Sequence, residues 1–152
     1  MPQSVLFICL GNICRSPLAE AALREECKLH SVSAVVDSAG TSDWHAGQAP
    51  DDRAQAVATK NGVDIGHLRG RLVNANDFRD FDHIIALDTQ NLKDLEKIKP
   101  VDGMAQLSML TDYIHGRKGE DIDDPYYGKE DGFDVTWAEV TEAARSIVKA
   151  LK

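Results

Sequence analysis

Residues 5–17, Val5-Leu6-Phe7-Ile8-Cys9-Leu10-Gly11-Asn12-Ile13-Cys14-Arg15-Ser16-Pro17, decide how this chain folds. The run 5–8 has the length and composition of a strand buried on both faces. Ser16-Pro17 puts a hydroxyl at a helix-cap position and Pro at the first helical residue, ahead of Leu18-Ala19-Glu20-Ala21-Ala22-Leu23. A strand therefore ends, a short loop turns, and a helix starts with its amides facing back to the loop. Unpaired amides and the positive end of a helix dipole make such a junction a preformed anion site. Gly11 permits a tight backbone, and Asn12 tolerates a left-handed conformation.

Into that site the sequence places a thiol, Cys9, and six residues later a guanidinium, Arg15. The fixed cation and the amides favour thiolate over thiol. Arg15 offers a planar fork that matches two phosphate oxygens, which Lys does not. A nucleophile at the floor of an oxyanion cradle suits phosphoryl transfer. A cysteine at a strand end is elsewhere most often a small core residue; here Gly11, Asn12 and Ser16-Pro17 stand in register around it, which favours chemistry. The loop lacks the closing Gly-Lys-Ser/Thr of a nucleotide-binding loop, and its single Gly excludes a dinucleotide fingerprint.

Working outward, the first helix is expected over residues 17–29, with Leu18, Ala22 and Cys27 apolar and Cys27 packed in the core. A second strand is expected over 33–38, then a surface loop over 41–50 that carries Trp44. Trp44 reads either as an anchored flap or as one wall of an aromatic slot. A second helix starts near Pro50-Asp51-Asp52, acidic in its first turn, and stops at Asn61-Gly62. The apolar run 83–88 is a third strand ending in Asp88 at the sheet edge where α/β sites lie. Asp88 serves there as an orienter or as the cap of the helix that follows. A fourth strand is expected over 104–110 and a final helix over 135–151. Strands alternating with helices predict a parallel sheet covered on both faces, a three-layer α/β/α single domain over residues 1–152.

Length and composition agree with this. The chain has 152 residues, 43% hydrophobic and 28% charged, as in a soluble globular domain. No apolar run approaches the roughly 18 residues of a membrane span, and no basic segment precedes the first strand, so neither a membrane partner nor a signal peptide is expected. A formal charge of −8 argues against nucleic acid as a partner. Three cysteines, an odd number, fit a reducing compartment, and a cytoplasmic location is expected.

Cys9-Leu10-Gly11-Asn12-Ile13-Cys14-Arg15-Ser16-Pro17 resembles the signature loop of the low-molecular-weight protein tyrosine phosphatases, and the resemblance runs the length of the chain. It implies a phosphomonoesterase that needs no metal or cofactor and passes through a phosphocysteine. It implies a four-stranded sheet in the order 2-1-3-4, with Cys9 as nucleophile, Arg15 as phosphate clamp, and Leu10, Gly11, Asn12, Ile13, Cys14 and Ser16 binding phosphate. Ser16 serves as helix cap, as hydrogen-bond donor to the Cys9 sulfur, or as both. The family's Ser-Asp-Trp favours the slot for Trp44, facing Tyr126 and Tyr127. The resemblance also puts Ser38, His67 and Asp88 behind the loop, His67 being tied into the hydrogen bonds that shape it. The family usually reads His, two residues, Arg at that point; here Gly70 stands at the Arg position, with Arg69 and Arg71 on either side.

The acidic run Glu120-Asp121-Ile122-Asp123-Asp124-Pro125-Tyr126-Tyr127-Gly128 lies on a long loop, and Glu120, Asp121 and Asp123 are expected to form a solvated face. Pro125 restrains Asp124 to an extended conformation, and the two tyrosines give it an apolar flank expected to hold its proton near neutrality. Asp-Pro-Tyr-Tyr-Gly is similar to the family's general-acid loop, which makes Asp124 the acid and Asp123 the runner-up. The substrate implied is a phosphotyrosine protein or aryl phosphate, met by a monomer or by a weak self-associate joined at the aromatic rim. In relatives a Cys9–Cys14 disulfide protects the nucleophile from oxidation.

Three rivals are weighed. A thiol-dependent arsenate reductase needs two more cysteines after the third strand, and none follows Cys27. A protein arginine phosphatase carries Thr where this chain has the apolar Ile13. A non-catalytic phosphotyrosine-binding module would lack the nucleophile or the acid, and both are present.

Overall fold

The alternation of side chains along the first strand organises the molecule. The computed structural model describes residues 2–128 and 131–152. Strand β1 (Gln3–Cys9) points Val5, Phe7 and Cys9 to one face of the sheet and Leu6 and Ile8 to the other. Both faces are covered, so the run is apolar without a break.

On the Phe7 side lie α1 (Arg15–Leu29), α2 (Asp52–Lys60) and α5 (Gly132–Ala150), which bring Leu18, Leu23, Ala54, Val140 and Ile147 into the core. On the other side, α3 (Asp77–Asp80) and α4 (Thr89–Ile98) press Phe78 and Leu95 against Leu6, Ile8 and Ile84. The four parallel strands run in the order β2 (Ala34–Gly40), β1, β3 (His83–Ala86), β4 (Gln106–Met109). β1 has β2 on one flank and β3 on the other, so the order in which strands are added reverses at it. The crevice at its carboxyl end is where such sheets hold ligands. Two single 3-10 turns follow β4, at Leu110–Tyr113 and at Pro125–Tyr127.

Several boundaries differ from expectation. β2 extends through Gly40, where a Cβ would lie 2.8 Å from the Leu10 carbonyl oxygen, so strand and loop pack too closely for any side chain. β3 ends at Ala86 and frees Asp88 to cap α4. β4 is only four residues long; Met104 before it is almost fully exposed. α5 begins three residues before the expected Val135. The largest shift in meaning is at α1. It begins at Arg15, with Cys14 at the cap position and no side-chain cap, so Ser16 does not cap it. A side-chain cap would use first-turn amides, and the loop keeps them free. Among the described residues, no helix is long and apolar enough to cross a membrane.

Candidate active site

The loop between β1 and α1 closes on itself. Asn12 sits at φ +58°, the left-handed region in which Asn is one of the few comfortable non-glycine residues. That turn swings its backbone N–H onto Cys9 Sγ at 3.3 Å, while Ser16 Oγ lies 3.0 Å from the same sulfur. Among the described residues, the amides of Gly11, Ile13, Cys14 and Arg15 make no hydrogen bond. They form the cradle, with Cys9 at its floor.

Proton directions behind the loop follow from a single contact. The Arg71 amide donates to Asn12 Oδ1 at 3.0 Å, so the Asn12 side-chain nitrogen must face the other way. It donates to Ser16 Oγ at 2.8 Å and to Ser38 Oγ at 3.0 Å. The Ser38 hydroxyl donates in turn to Glu20 Oε1 at 2.7 Å. Ser16, already accepting from Asn12, has its proton left for the Cys9 sulfur. Cys9, Asn12, Ser16, Ser38 and Glu20 are all buried. Burial pushes the Glu20 carboxyl upward, against the pull of Ser38 and Arg24.

Arg15 is 2% exposed. Its Nη1 donates to Asp88 Oδ2 at 2.7 Å and to the Ile122 carbonyl at 2.9 Å, and Nη2 faces Asp124 Oδ2 at 3.6 Å. Burial alone would lower its pKa; Cys9, hydrogen-bonded Asp88 and Asp124 outweigh burial and hold it above the ordinary arginine value. Asp88 is orienter and cap at once, because its other oxygen accepts from the Asn91 amide at 2.7 Å.

The opposite wall is the 3-10 turn Pro125–Tyr127. Asp124 caps it, with Oδ1 accepting the Tyr126 amide at 3.0 Å. Together Cys9, Arg15, Ile13, Asp124, Trp44, Tyr126 and Tyr127 line a cleft of about 360 Å³, its open side included. Cys14 also lines it; burial, then Asp51 and Cys9, push its thiol well above the usual range.

Two expectations change. His67 is exposed and makes no hydrogen bond to the loop among the described residues; it lies beside Glu20 in a groove at the back. Its expected place is taken by Glu20, which reaches Ser38 from one turn beyond Ser16. Asp121 is no mere solvated charge: its Oδ1 accepts both the amide and the hydroxyl of Thr89 at the start of α4.

The departure at Gly70 has a steric cause. A Cβ there would stand 2.7 Å from the His45 carbonyl oxygen, so the chain admits only Gly. The neighbouring Arg71 reaches across instead, bonding Asp37 at 3.1 Å and buried Asp77 at 3.1 Å. Those ion pairs fix the backbone that gives Asn12 its amide.

Sequence reasoning also missed His45, whose ring packs 3.1 Å from the Cβ position of Gly11 and holds Gln48 through Nδ1. No spacing signal marked it. Glu20 was detectable as a lone carboxylate on an apolar helix face.

A family model described as low molecular weight phosphotyrosine protein phosphatase matches residues 4–152. The chain belongs to that family. A relative of the same name from Schizosaccharomyces pombe is 39% identical, covering 97% of this chain and 96% of its own. The fold is similar to a protein tyrosine phosphatase from Entamoeba histolytica crystallised with Hepes in its active site. TM-score is 0.92 at 34% identity, covering 98% of this chain and 96% of that one. It is similar as well to a Drosophila arginine phosphatase, with a TM-score of 0.91 at 33% identity over 97% of each chain. The four-stranded parallel sheet in the order 2-1-3-4 is thus the fold of this low molecular weight phosphatase family, a family of enzymes. Among the described residues, no three His, Cys, Asp or Glu side chains are grouped so as to hold a metal.

Proposed function

We propose that residues 1–152 form one phosphatase domain that hydrolyses phosphotyrosine through a phosphocysteine. The loop amides and Arg15 Nη2 bind the phosphoryl oxygens, since Nη1 is taken by Asp88 and Ile122. Cys9 Sγ attacks in line; an S–P bond forms as the P–O bond to the phenol breaks. Asp124 gives its proton to the leaving oxygen, then takes one from the water that cleaves the S–P bond and releases inorganic phosphate. Ser16 steadies the sulfur as thiolate and as leaving group.

The observation that carries this reading is one buried guanidinium facing both halves of the chemistry. Arg15 follows the Cys9 loop directly and lies 3.6 Å from Asp124 on the other wall. Trp44, Tyr126 and Tyr127 at the mouth suit an aryl group, and a cleft deep enough for it leaves phosphoserine short of Cys9. Ile13, lining the cleft, favours a ring over a guanidinium. The substrate is then a phosphotyrosine protein or aryl phosphate. It is met by a monomer or by a weak self-associate joined at this rim, where Trp44 and Tyr127 are exposed. A thiolate nucleophile suits a reducing compartment such as the cytoplasm.

The test is single-turnover hydrolysis of matched phosphotyrosine, phosphoserine and phosphoarginine peptides by the parent and Cys9→Ser, without metal. Phosphotyrosine alone is expected to react, with a trappable phosphocysteine and an inactive Cys9→Ser. Preference for phosphoarginine would overturn the weight given to Ile13. Hydrolysis of none would leave an anion site without this chemistry.

A further inference from the structure

Arg53, in the first turn of α2, touches one wall of the cleft at Tyr126 and reaches the other through Asp51, without lining it. Its Nε and Nη2 fork onto the two oxygens of Asp51, at 3.0 Å and 3.0 Å. Asp51 caps α2 through the Arg53 amide and gives its own amide to the Ile13 carbonyl, in the phosphate loop, at 2.9 Å. The third guanidinium nitrogen, Nη1, donates to the Tyr126 carbonyl at 3.3 Å. The guanidinium carbon lies 5.3 Å from the centroid of the Tyr126 ring and 4.8 Å from that of Phe133, in the first turn of α5. A planar cation satisfies two aromatic faces and a carboxylate fork together, which an ammonium does not.

The residue held in this way is the one that holds Asp124. The Tyr126 amide is bound by Asp124 Oδ1, so displacement of the 3-10 turn displaces the carboxyl. We propose that Arg53 is a positioning residue. It ties the turn Pro125–Tyr127 to the backbone of the Cys9 loop and so sets the distance from Asp124 to the leaving oxygen. The inference rests on the reading of Asp124 as the general acid. Arg53 reaches no reacting atom in that mechanism; its influence passes through geometry, where a shift of about 1 Å costs on the order of 100-fold.

The experiment compares kcat/KM for phenyl phosphate and 2,4-dinitrophenyl phosphate in the parent, Arg53→Ala, Arg53→Lys and Asp124→Ala. Inhibition by inorganic phosphate is measured in each. Phenolate needs a proton to leave and dinitrophenolate does not. Arg53→Ala is expected to lose about 10- to 100-fold on phenyl phosphate and less than about threefold on the dinitrophenyl ester. Phosphate inhibition should stay within about twofold of the parent, which also shows that the cradle has folded. Arg53→Lys, keeping a cation between the rings, should recover part of the loss. Equal losses on both esters, or a rise in KM alone, would overturn the inference and make Arg53 a structural or substrate-contact residue. If Asp124→Ala itself fails to discriminate the esters, the underlying assignment of Asp124 falls instead.

Discussion

The two halves of the site are built in opposite ways. The phosphate loop is continuous in sequence: Cys9, Asn12, Cys14, Arg15 and Ser16 are all under 5% exposed, and Cys9, Asn12 and Ser16 bond one another within it. The segment 120–128 has no such local logic. Thr111 holds the Glu120 carbonyl at 2.6 Å, Thr89 holds Asp121, and the Leu87 carbonyl accepts from Ile122 at 2.9 Å. Arg15 and Arg53 hold the carbonyls of Ile122 and Tyr126. The loop is a rigid feature that a short sequence specifies. The wall proposed to donate the proton is an assembly from distant elements, mostly exposed, and such segments open most readily. Anion binding should therefore survive changes that ruin proton transfer.

The sharpest break of that comparison is Asp124→Ala. It should lower kcat/KM for aryl phosphates with poor leaving groups by about 10²–10⁴ and leave activated esters near the parent value, with phosphate inhibition unchanged. Equal loss across leaving groups would merge the two halves into one.

Gly70→Ala probes the other half. The added methyl must displace the His45 carbonyl and disturb the backbone that bonds Asn12. Overpacking of this kind costs about 1–3 kcal/mol, readable by urea unfolding. Because it loosens the cradle, it should weaken phosphate inhibition and slow every ester alike. Selective loss on poor leaving groups would contradict the division.

The smallest effect is expected at Asp121. Its bonds to the Thr89 hydroxyl and amide, with Arg15 nearby, hold its carboxyl below the usual range. A depressed folded pKa contributes stability above the ordinary carboxylate pKa of about 4, and that stability is lost as pH falls through the folded value. The group is exposed, so Asp121→Ala should cost less than about 1 kcal/mol at neutral pH. The gap to the parent should close in acid. A gap that persists at low pH would show that Asp121 acts by packing, not by charge.

Legibility followed the same division. The apolar run of β1, left-handed Asn12 and the acidic start of α2 near Asp51 could be read because each depends on neighbours within a few residues. Of the two roles expected for Ser16, helix cap and hydrogen-bond partner of the Cys9 sulfur, the fold keeps the second and drops the first. His67 was misplaced for a similar reason. Its spacing resembled the family's, but Glu20 reaches Ser38 from α1, while the segment around Gly70 approaches the loop through Arg71.

By itself the sequence determined the parallel α/β architecture, the anion-binding junction after β1 and the residues able to act there, because hydrophobic periodicity and turn chemistry are local. Tertiary structure alone decided that Arg15 faces Asp124, that Gly70 has no room for a side chain, and that Arg53 joins one wall to the other. Those are contacts between residues 25 to 109 positions apart, whose distances no local pattern encodes.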